Sequence, residues 1–169
     1  MIKAFAIIPA ILLSAALLLS CNSPSVPASV VEIIDGDTVR IEGNISVRYL
    51  GVDTPEIGEP YYIESKYYNA RLLQGRKITL QIDITDKDAY GRLLRYVYAD
   101  TVMVNTELVR QGYAFVYAKS KFPDNKNYDI FKSALDEAIG RGKGIWSSKT
   151  HPKLNNKDDY YLPSSFLKQ

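Results

Sequence analysis

The chain has 169 residues, and its 21 lysines and arginines against 19 aspartates and glutamates give a formal net charge of +2. This length predicts one domain. The small net charge excludes a protein that coats nucleic acid through a uniformly basic surface, so binding of a polyanion would need a focused site. The single histidine and single cysteine exclude a tetrahedral zinc site and also Ser–His or Cys–His catalysis, which leaves hard oxygen ligands for any metal.

Residues 1–20 have the pattern of a secretory leader. Lys3 supplies a short positive region, and the apolar run over residues 4–19 is short for a membrane span. The Leu-Leu-Ser-Cys sequence that ends at Cys21 resembles the bacterial lipobox, whose cysteine is diacylated. An ordinary leader with a spare thiol and an uncleaved anchor are the alternatives. We expect lipidation of Cys21, a tether over residues 21–29, secretion across the inner membrane and lipid anchoring in the cell envelope.

The pattern turns to short alternating strands from residue 30. Three strands are predicted over residues 30–34, 38–41 and 45–52, joined by an Asp-Gly-Asp turn and a Glu-Gly-Asn turn. Gly51 is placed where a barrel strand would bend.

Helices are interleaved with two further strands after residue 60. The predicted strands cover residues 76–83 and 92–98, and the three predicted helices cover residues 63–74, 105–111 and 128–141. This order predicts the α+β class, with a five-stranded Greek-key OB-fold barrel, about three flanking helices and a domain over residues 30–148. Residues 149–169 are polar and aperiodic, and we expect a flexible tail there.

Four charged residues are gathered between the first strands: Asp37, Arg48, Asp53 and Glu56. Clustered carboxylates repel one another, and a bound hard cation such as calcium removes that cost. An arginine beside a metal suits a phosphate, which it can hold with two parallel hydrogen bonds. A hairpin turn followed by a helix cap is the alternative explanation for the same residues. The spacing of the whole set favours a metal and phosphate site.

Residues 31–147 resemble the staphylococcal nuclease (thermonuclease) family, calcium-dependent enzymes built on the same kind of barrel. The resemblance lies in five pieces that occur in the family order. They are Ile-Asp-Gly-Asp-Thr-Val at 34–39, Arg-Tyr-Leu-Gly-Val-Asp-Thr-Pro-Glu at 48–56, Asp-Ala-Tyr-Gly-Arg at 88–92, Val-Asn-Thr-Glu-Leu-Val-Arg-Gln-Gly at 104–112 and Gly-Ile-Trp-Ser at 144–147.

The resemblance implies a role for each matching position. The implied calcium ligands are Asp37, Asp53 and the backbone carbonyl of Thr54. The implied catalytic residues are the two phosphate-binding arginines, Arg48 and Arg92, and the carboxylate that orients or deprotonates the attacking water, Glu56. Tyr90 matches a tyrosine of the nucleotide pocket. Tyr117 is a further candidate for substrate binding, with core packing as its alternative use.

The resemblance therefore implies a monomeric, calcium-dependent nuclease that hydrolyses DNA, RNA or both and leaves 3′-phosphate ends. The alternative is a catalytically silent OB-fold module on the cell envelope that only binds nucleic acid or protein. A purely structural envelope lipoprotein is a third interpretation. Some relatives have lost the acidic residues, whereas all five charged positions of the site are present here, which favours the enzyme: Asp37, Arg48, Asp53, Glu56 and Arg92.

Overall fold

The computed structural model describes residues 25–123, 125–147 and 157–162. The expected leader over residues 1–20 and the expected lipidation site, Cys21, lie outside these ranges. No helix within them is long and apolar enough to cross a membrane.

Strands and helices alternate along the described chain, and the α+β class with three helices is confirmed. The strands are β1 (Ser25–Ala28), β2 (Val30–Ile33), β3 (Thr38–Ile41), β4 (Ile45–Tyr49), β5 (Val52–Asp53), β6 (Ile78–Gln81), β7 (Leu93–Ala99), β8 (Val102–Met103) and β9 (Phe115–Val116). The helices are α1 (Tyr62–Leu73), α2 (Val104–Arg110) and α3 (Tyr128–Gly140).

Seven strands form one mixed sheet, in which six follow the order β1-β6-β7-β4-β3-β2 and β8 pairs with β7. β5 and β9 form a separate two-stranded sheet. Among the described residues this path has two ends, at β1 and β2, so the sheet is not closed into the expected five-stranded barrel. The strands are also more numerous than expected, and three are shorter: β2 and β6 cover four residues each and β4 covers five, whereas β3 and β7 have their predicted lengths.

β4 and β7 are parallel, whereas every other strand pair in the described residues is antiparallel. Val47 lies opposite Leu93, and Arg48 lies opposite Leu94. A parallel pair needs a long crossover, which α1 and β6 supply here. The pairing places the strand that carries Arg48 beside the start of β7, immediately after Arg92.

The strand predicted over residues 45–52 is interrupted, and Gly51 marks the break. Gly51 has a φ of 79°, and a Cβ there would lie 2.3 Å from Asn125 Nδ2. Glycine tolerates both the left-handed backbone and the close approach. After this turn the chain leaves β4 and pairs with β9 instead, with Asp53 opposite Phe115.

A buried asparagine on α1 fixes the Asp-Gly-Asp turn. Asn69 Nδ2 donates to the carbonyl of Asp35 (3.1 Å), and Asn69 Oδ1 accepts from the Tyr49 hydroxyl (2.8 Å). Both Asn69 and Tyr49 are almost fully buried. Because buried polar groups need partners, this network holds the turn in one place between α1 and β4.

Two segments expected to lie outside the domain are ordered against it. β1 lies within the expected tether and pairs with β6, with Ser25 opposite Gln81. Pro27 fits there because β1 is an edge strand, where a missing N–H is tolerated. Residues 157–162, within the expected flexible tail, form a one-turn helix (Lys157–Asp159) and pack against the end of β9.

Candidate active site

Asp37 lies in the turn between β2 and β3, with 4 % of its surface exposed. Its Oδ2 accepts hydrogen bonds from the backbone N–H (2.6 Å) and the hydroxyl (3.0 Å) of Thr54, and its Oδ1 accepts one from Thr38 Oγ1 (3.1 Å). The absence of a side chain at Gly36 allows this approach, because a Cβ there would lie 2.6 Å from Ser65 Oγ and 2.7 Å from Thr54 Oγ1. The glycine therefore lets the turn bring Asp37 against the residue that follows β5.

Arg48 bridges the two carboxylates that the sequence singled out. Its Nε lies 3.1 Å from Asp37 Oδ1, and its Nη2 donates to Asp53 Oδ1 at 2.5 Å. Nη1 donates to the backbone carbonyls of Tyr49 (2.8 Å) and Val52 (2.6 Å), on the two sides of the break after β4. The guanidinium is thus buried with oxygen acceptors around it, which is the condition under which a buried charge is tolerated.

Burial dominates the protonation of Asp37. Loss of water raises the pKa of its carboxyl from the ordinary 3.8 to about 7, with Arg48 opposing the shift and the negative charges of Asp35 and Asp53 adding to it. Burial also acts to lower the pKa of Arg48, but the two carboxylates outweigh it and keep that pKa above its ordinary value. An additional positive charge beside Asp37 would therefore stabilise the ionised form of its carboxyl group.

Glu56 lies on the exposed side of the cluster, just beyond β5. Its backbone N–H donates to Glu59 Oε2 (2.8 Å), which shapes the loop that leads to α1. Partial loss of water, followed by the charges of Asp53 and Asp35, raises the pKa of the Glu56 carboxyl above its ordinary value. A carboxylate with a raised pKa accepts a proton more readily, as a general base must.

Two tyrosines, Tyr117 and Tyr160, pack beside Asp53. The rings of Tyr117 and Tyr160 are stacked, with centroids 5.1 Å apart, and the guanidinium carbon of Arg48 lies 6.0 Å from the Tyr117 ring. The Tyr160 hydroxyl donates to Asp53 Oδ2 at 2.5 Å. Burial and the charge of Asp53 raise the pKa of both hydroxyls, so both stay protonated.

Arg92 and Tyr90 lie in the turn before β7. Arg92 Nε donates to Asp88 Oδ2 (2.6 Å), and its guanidinium carbon lies 5.5 Å from the Tyr90 ring. Tyr90 is 87 % exposed, so its ring is available to a ligand. Asp88 also accepts from the backbone N–H groups of Tyr90 and Arg92, which fixes the turn.

The structure thus brings most of the predicted site residues together, but Arg92 and Tyr90 have no described contact with the central cluster. The residues in mutual contact are Asp37, Arg48, Asp53, Thr54 and Tyr117. Glu56 is beside them, whereas the described contacts of Arg92 and Tyr90 are with Asp88 and with each other. Tyr160 was missed, although two adjacent tyrosines in an otherwise polar tail were a signal that this segment packs.

Asp37 and Asp53 are the candidate ligands for a metal ion. Among the described residues, no group of three or more histidine, cysteine, aspartate or glutamate side chains is gathered so as to hold an ion. The guanidinium of Arg48 lies between Asp37 and Asp53 instead. The donor chemistry nevertheless fits a hard cation, because two carboxylates converge on one positive group and the Thr54 backbone lies against Asp37.

A family described as staphylococcal nuclease homologue matches residues 46–148, which is more than half of the chain. The chain belongs to the staphylococcal nuclease family. The matched range begins after Asp37. The assignment of Asp37 to the site therefore depends on its contacts with Thr54 and Arg48.

Three relatives show how far the similarity extends. A thermonuclease of Staphylococcus hyicus is 34 % identical over 130 residues, which cover 70 % of this chain and 75 % of that protein. The SPbeta prophage-derived endonuclease YokF of Bacillus subtilis is 38 % identical over 127 residues, which cover 68 % of this chain and 42 % of that protein. Endonuclease YncB of the same species is 38 % identical over 127 residues, which cover 68 % of this chain and 58 % of that protein. The chain therefore spans only about half the length of the two Bacillus proteins.

Proposed function

We propose that this chain is a calcium-dependent nuclease that hydrolyses phosphodiester bonds of DNA, RNA or both and leaves 3′-phosphate ends. The observation that carries the proposal is the buried cluster in which Arg48 bridges Asp37 and Asp53. Membership of the staphylococcal nuclease family and the names of the relatives, thermonuclease and endonuclease, support it.

The residues that would hold the calcium ion are Asp37, Asp53 and, through its backbone carbonyl, Thr54. When bound, the ion supplies positive charge that stabilises the negative charge developing on the phosphoryl oxygens. The convergence of Asp37 and Asp53 on one positive group supports this assignment, because a cation favours the ionised form of nearby carboxylates.

Two guanidiniums would bind the phosphate. Arg92 donates to Asp88 through Nε, and its Nη groups can donate two parallel hydrogen bonds to phosphate oxygens. Arg48 would bind the phosphate by exchanging its bonds to Asp37 and Asp53 for bonds to phosphate oxygens. Donors aimed at the oxygens where charge develops lower the barrier, and loss of one typically slows an enzyme about 10²–10³-fold. The parallel pairing of β4 and β7 supports this role, since it places the two arginine-bearing segments side by side.

Glu56 would act as the general base. Its carboxylate accepts a proton from a water molecule, whose oxygen then attacks the phosphorus as the bond from phosphorus to the 5′ oxygen breaks. The 5′ oxygen leaves with the electron pair of that bond and takes a proton from solvent water, so the products are a 3′-phosphate and a 5′-hydroxyl. The raised pKa of Glu56 and its exposed position beside Asp53 support this role.

Tyrosine rings would hold the bases. Tyr90 presents an almost fully exposed ring beside Arg92, whereas the Tyr117 ring, stacked on Tyr160 and beside Arg48, would border the pocket. Stacking of a base on an aromatic ring contributes about 1–3 kcal/mol and does not depend on the base. This arrangement supports cleavage with little sequence preference.

The test is cleavage of single-stranded DNA, double-stranded DNA and RNA by the purified protein, with calcium or with a chelator. We expect cleavage that requires calcium, weaker calcium binding in Asp53→Asn, and slow turnover with unchanged calcium binding in Glu56→Gln. Asp136→Asn, which removes an exposed charge on α3, is the matched control and should behave as the wild type.

Two results would contradict the proposal. Binding of nucleic acid without any cleavage in calcium would favour the silent binding module. Cleavage that persists in chelator would exclude the metal role of Asp37 and Asp53.

We further propose that the nuclease is monomeric and is held at the cell envelope by lipid on Cys21. The Leu-Leu-Ser-Cys sequence and the leader pattern before it support this localisation. One acyl chain binds a membrane only marginally, so stable anchoring needs the two or more chains that a lipoprotein carries.

A further inference from the structure

The segment of residues 157–162 is attached to the domain through its backbone. Tyr160 pairs with Tyr117 in an antiparallel bridge. The Ala118 N–H donates to the carbonyl of Asp159 (2.8 Å), and the Tyr161 N–H donates to the carbonyl of Val116 (2.8 Å). These bonds set the register of the segment and place the Tyr160 backbone opposite Tyr117.

This register places Tyr160 over the end of β5. β9 pairs with β5 on one side, and the Tyr160 segment continues from the end of β9. The Tyr160 ring lies 5.5 Å from Phe115 and 5.1 Å from Tyr117, measured between centroids. Aromatic contacts on two sides of the ring hold the hydroxyl toward Asp53.

Both oxygens of the Asp53 carboxylate have a donor. Arg48 Nη2 donates to Oδ1, and the Tyr160 hydroxyl donates to Oδ2 at 2.5 Å. Two donors on opposite oxygens fix the rotation of a carboxylate, which a single donor does not. Carboxylates that bind metals are usually oriented by such outer hydrogen bonds.

We propose that Tyr160 is a positioning residue of the active site, which orients Asp53 for binding the cation. The inference rests on the proposed function, in which Asp53 is a calcium ligand. Tyr160 does not touch the reacting atoms in this proposal and acts only through Asp53. The C-terminal segment is then a part of the active site.

The test is a calorimetric titration of the full chain with calcium alone, for the wild type, Tyr160→Phe and Tyr161→Phe. Tyr160→Phe keeps the ring and its stacking but removes the hydroxyl, so the fold should be retained, as circular dichroism would verify. Loss of such an outer hydrogen bond typically weakens metal binding about 10–100-fold, and we expect a loss of that size. Tyr161→Phe removes a hydroxyl one residue away and should leave the calcium affinity unchanged.

Cleavage assays at increasing calcium give a second measurement. Because a positioning residue acts on metal affinity, the activity of Tyr160→Phe should return toward that of the wild type when calcium is raised. Tyr161→Phe should match the wild type at every calcium concentration.

The outcomes separate this inference from the proposed function. If the wild type binds calcium and cleaves nucleic acid while Tyr160→Phe binds calcium equally well or more tightly, the positioning role is wrong and the proposed function stands. If the wild type neither binds calcium nor cleaves, both fail.

Discussion

Arg48 and Arg92 carry the same guanidinium group in different surroundings. Arg48 is 8 % exposed and donates to two backbone carbonyls as well as to Asp53. The Arg92 side chain is 34 % exposed and has Asp88 as its ionic partner. The same replacement should therefore have different effects on stability at the two positions.

We expect Arg92→Lys to slow cleavage by about 10²–10³-fold, because an ammonium cannot form two parallel hydrogen bonds to a phosphate. Its melting temperature should stay close to that of the wild type. Arg48→Lys should lower both the cleavage rate and the melting temperature, because buried acceptors lose their donors. Cleavage assays and thermal unfolding measure the two effects, and wild-type turnover in Arg92→Lys would refute its role at the phosphate.

Asp37 gives a prediction about pH. Its pKa of about 7 in the folded chain lies above the ordinary 3.8, so between these values the folded chain keeps a proton that the unfolded chain has lost. The contribution of Asp37 to the free energy of unfolding is therefore most favourable below about pH 4 and decreases as the pH rises toward 7. Asp37→Asn has no such proton, and the amide changes the local hydrogen bonds by an amount that does not depend on pH.

The free energy of unfolding of Asp37→Asn should therefore rise relative to the wild type as the pH increases from about 4 to 7. Urea unfolding of both proteins in chelator, at several pH values across this window, measures the difference. A difference that stays constant with pH would mean that Asp37 is not the group whose protonation is shifted.

At the scale of the element, the Asp-Gly-Asp turn depends on close packing. We expect Gly36→Ala to destabilise the protein by about 1–3 kcal/mol, because the added Cβ would collide with Ser65 and Thr54. Gly140→Ala is the matched control, since a Cβ at that position in α3 meets nothing within 4 Å. Alanine also favours a helix by up to about 1 kcal/mol over glycine. Equal stabilities of the two variants by urea unfolding would contradict the packing argument.

The sequence predicts the helices well because their signal is local. α3 begins at the predicted residue and ends one residue early, and four of its apolar residues are buried: Phe131, Ala134, Leu135 and Ala138. Ile130, an apolar residue of the same helix, is half exposed. The Asp-Gly-Asp turn and the strand at residues 38–41 also follow from neighbouring residues alone.

What the sequence does not predict depends on distant partners. The parallel pairing of β4 with β7, the break that pairs β5 with β9, and the position of Tyr160 each join segments far apart in the chain. Alternation of apolar residues identifies a strand but not its partner. The ion pairs of Arg48 were missed for the same reason, since the sequence shows that charges are near one another but not which atoms meet.

At the scale of the whole molecule, the proposed anchor, Cys21, lies outside the described residues, whereas the proposed active site lies within them. We expect Cys21→Ser to abolish lipid labelling and to release the protein from the membrane fraction, while cleavage by the purified protein stays unchanged. Labelled fatty acid and cell fractionation measure the first effect, and the nuclease assay measures the second. Mass spectrometry that finds unmodified Cys21 in the mature native protein would exclude the anchor.

The parallel pairing of β4 and β7 also bears on the order in which the chain folds. Val47 meets Leu93 only after the segment that contains α1 and β6 has been enclosed in a loop, and closing a long loop costs entropy before the contact is gained. The antiparallel pair of β3 and β4 joins neighbouring segments and can form earlier. Because Arg48 and Arg92 lie on segments that become neighbours only through the later contact, we expect a chain in which only β3 and β4 have paired to be unable to bind a phosphate with both arginines.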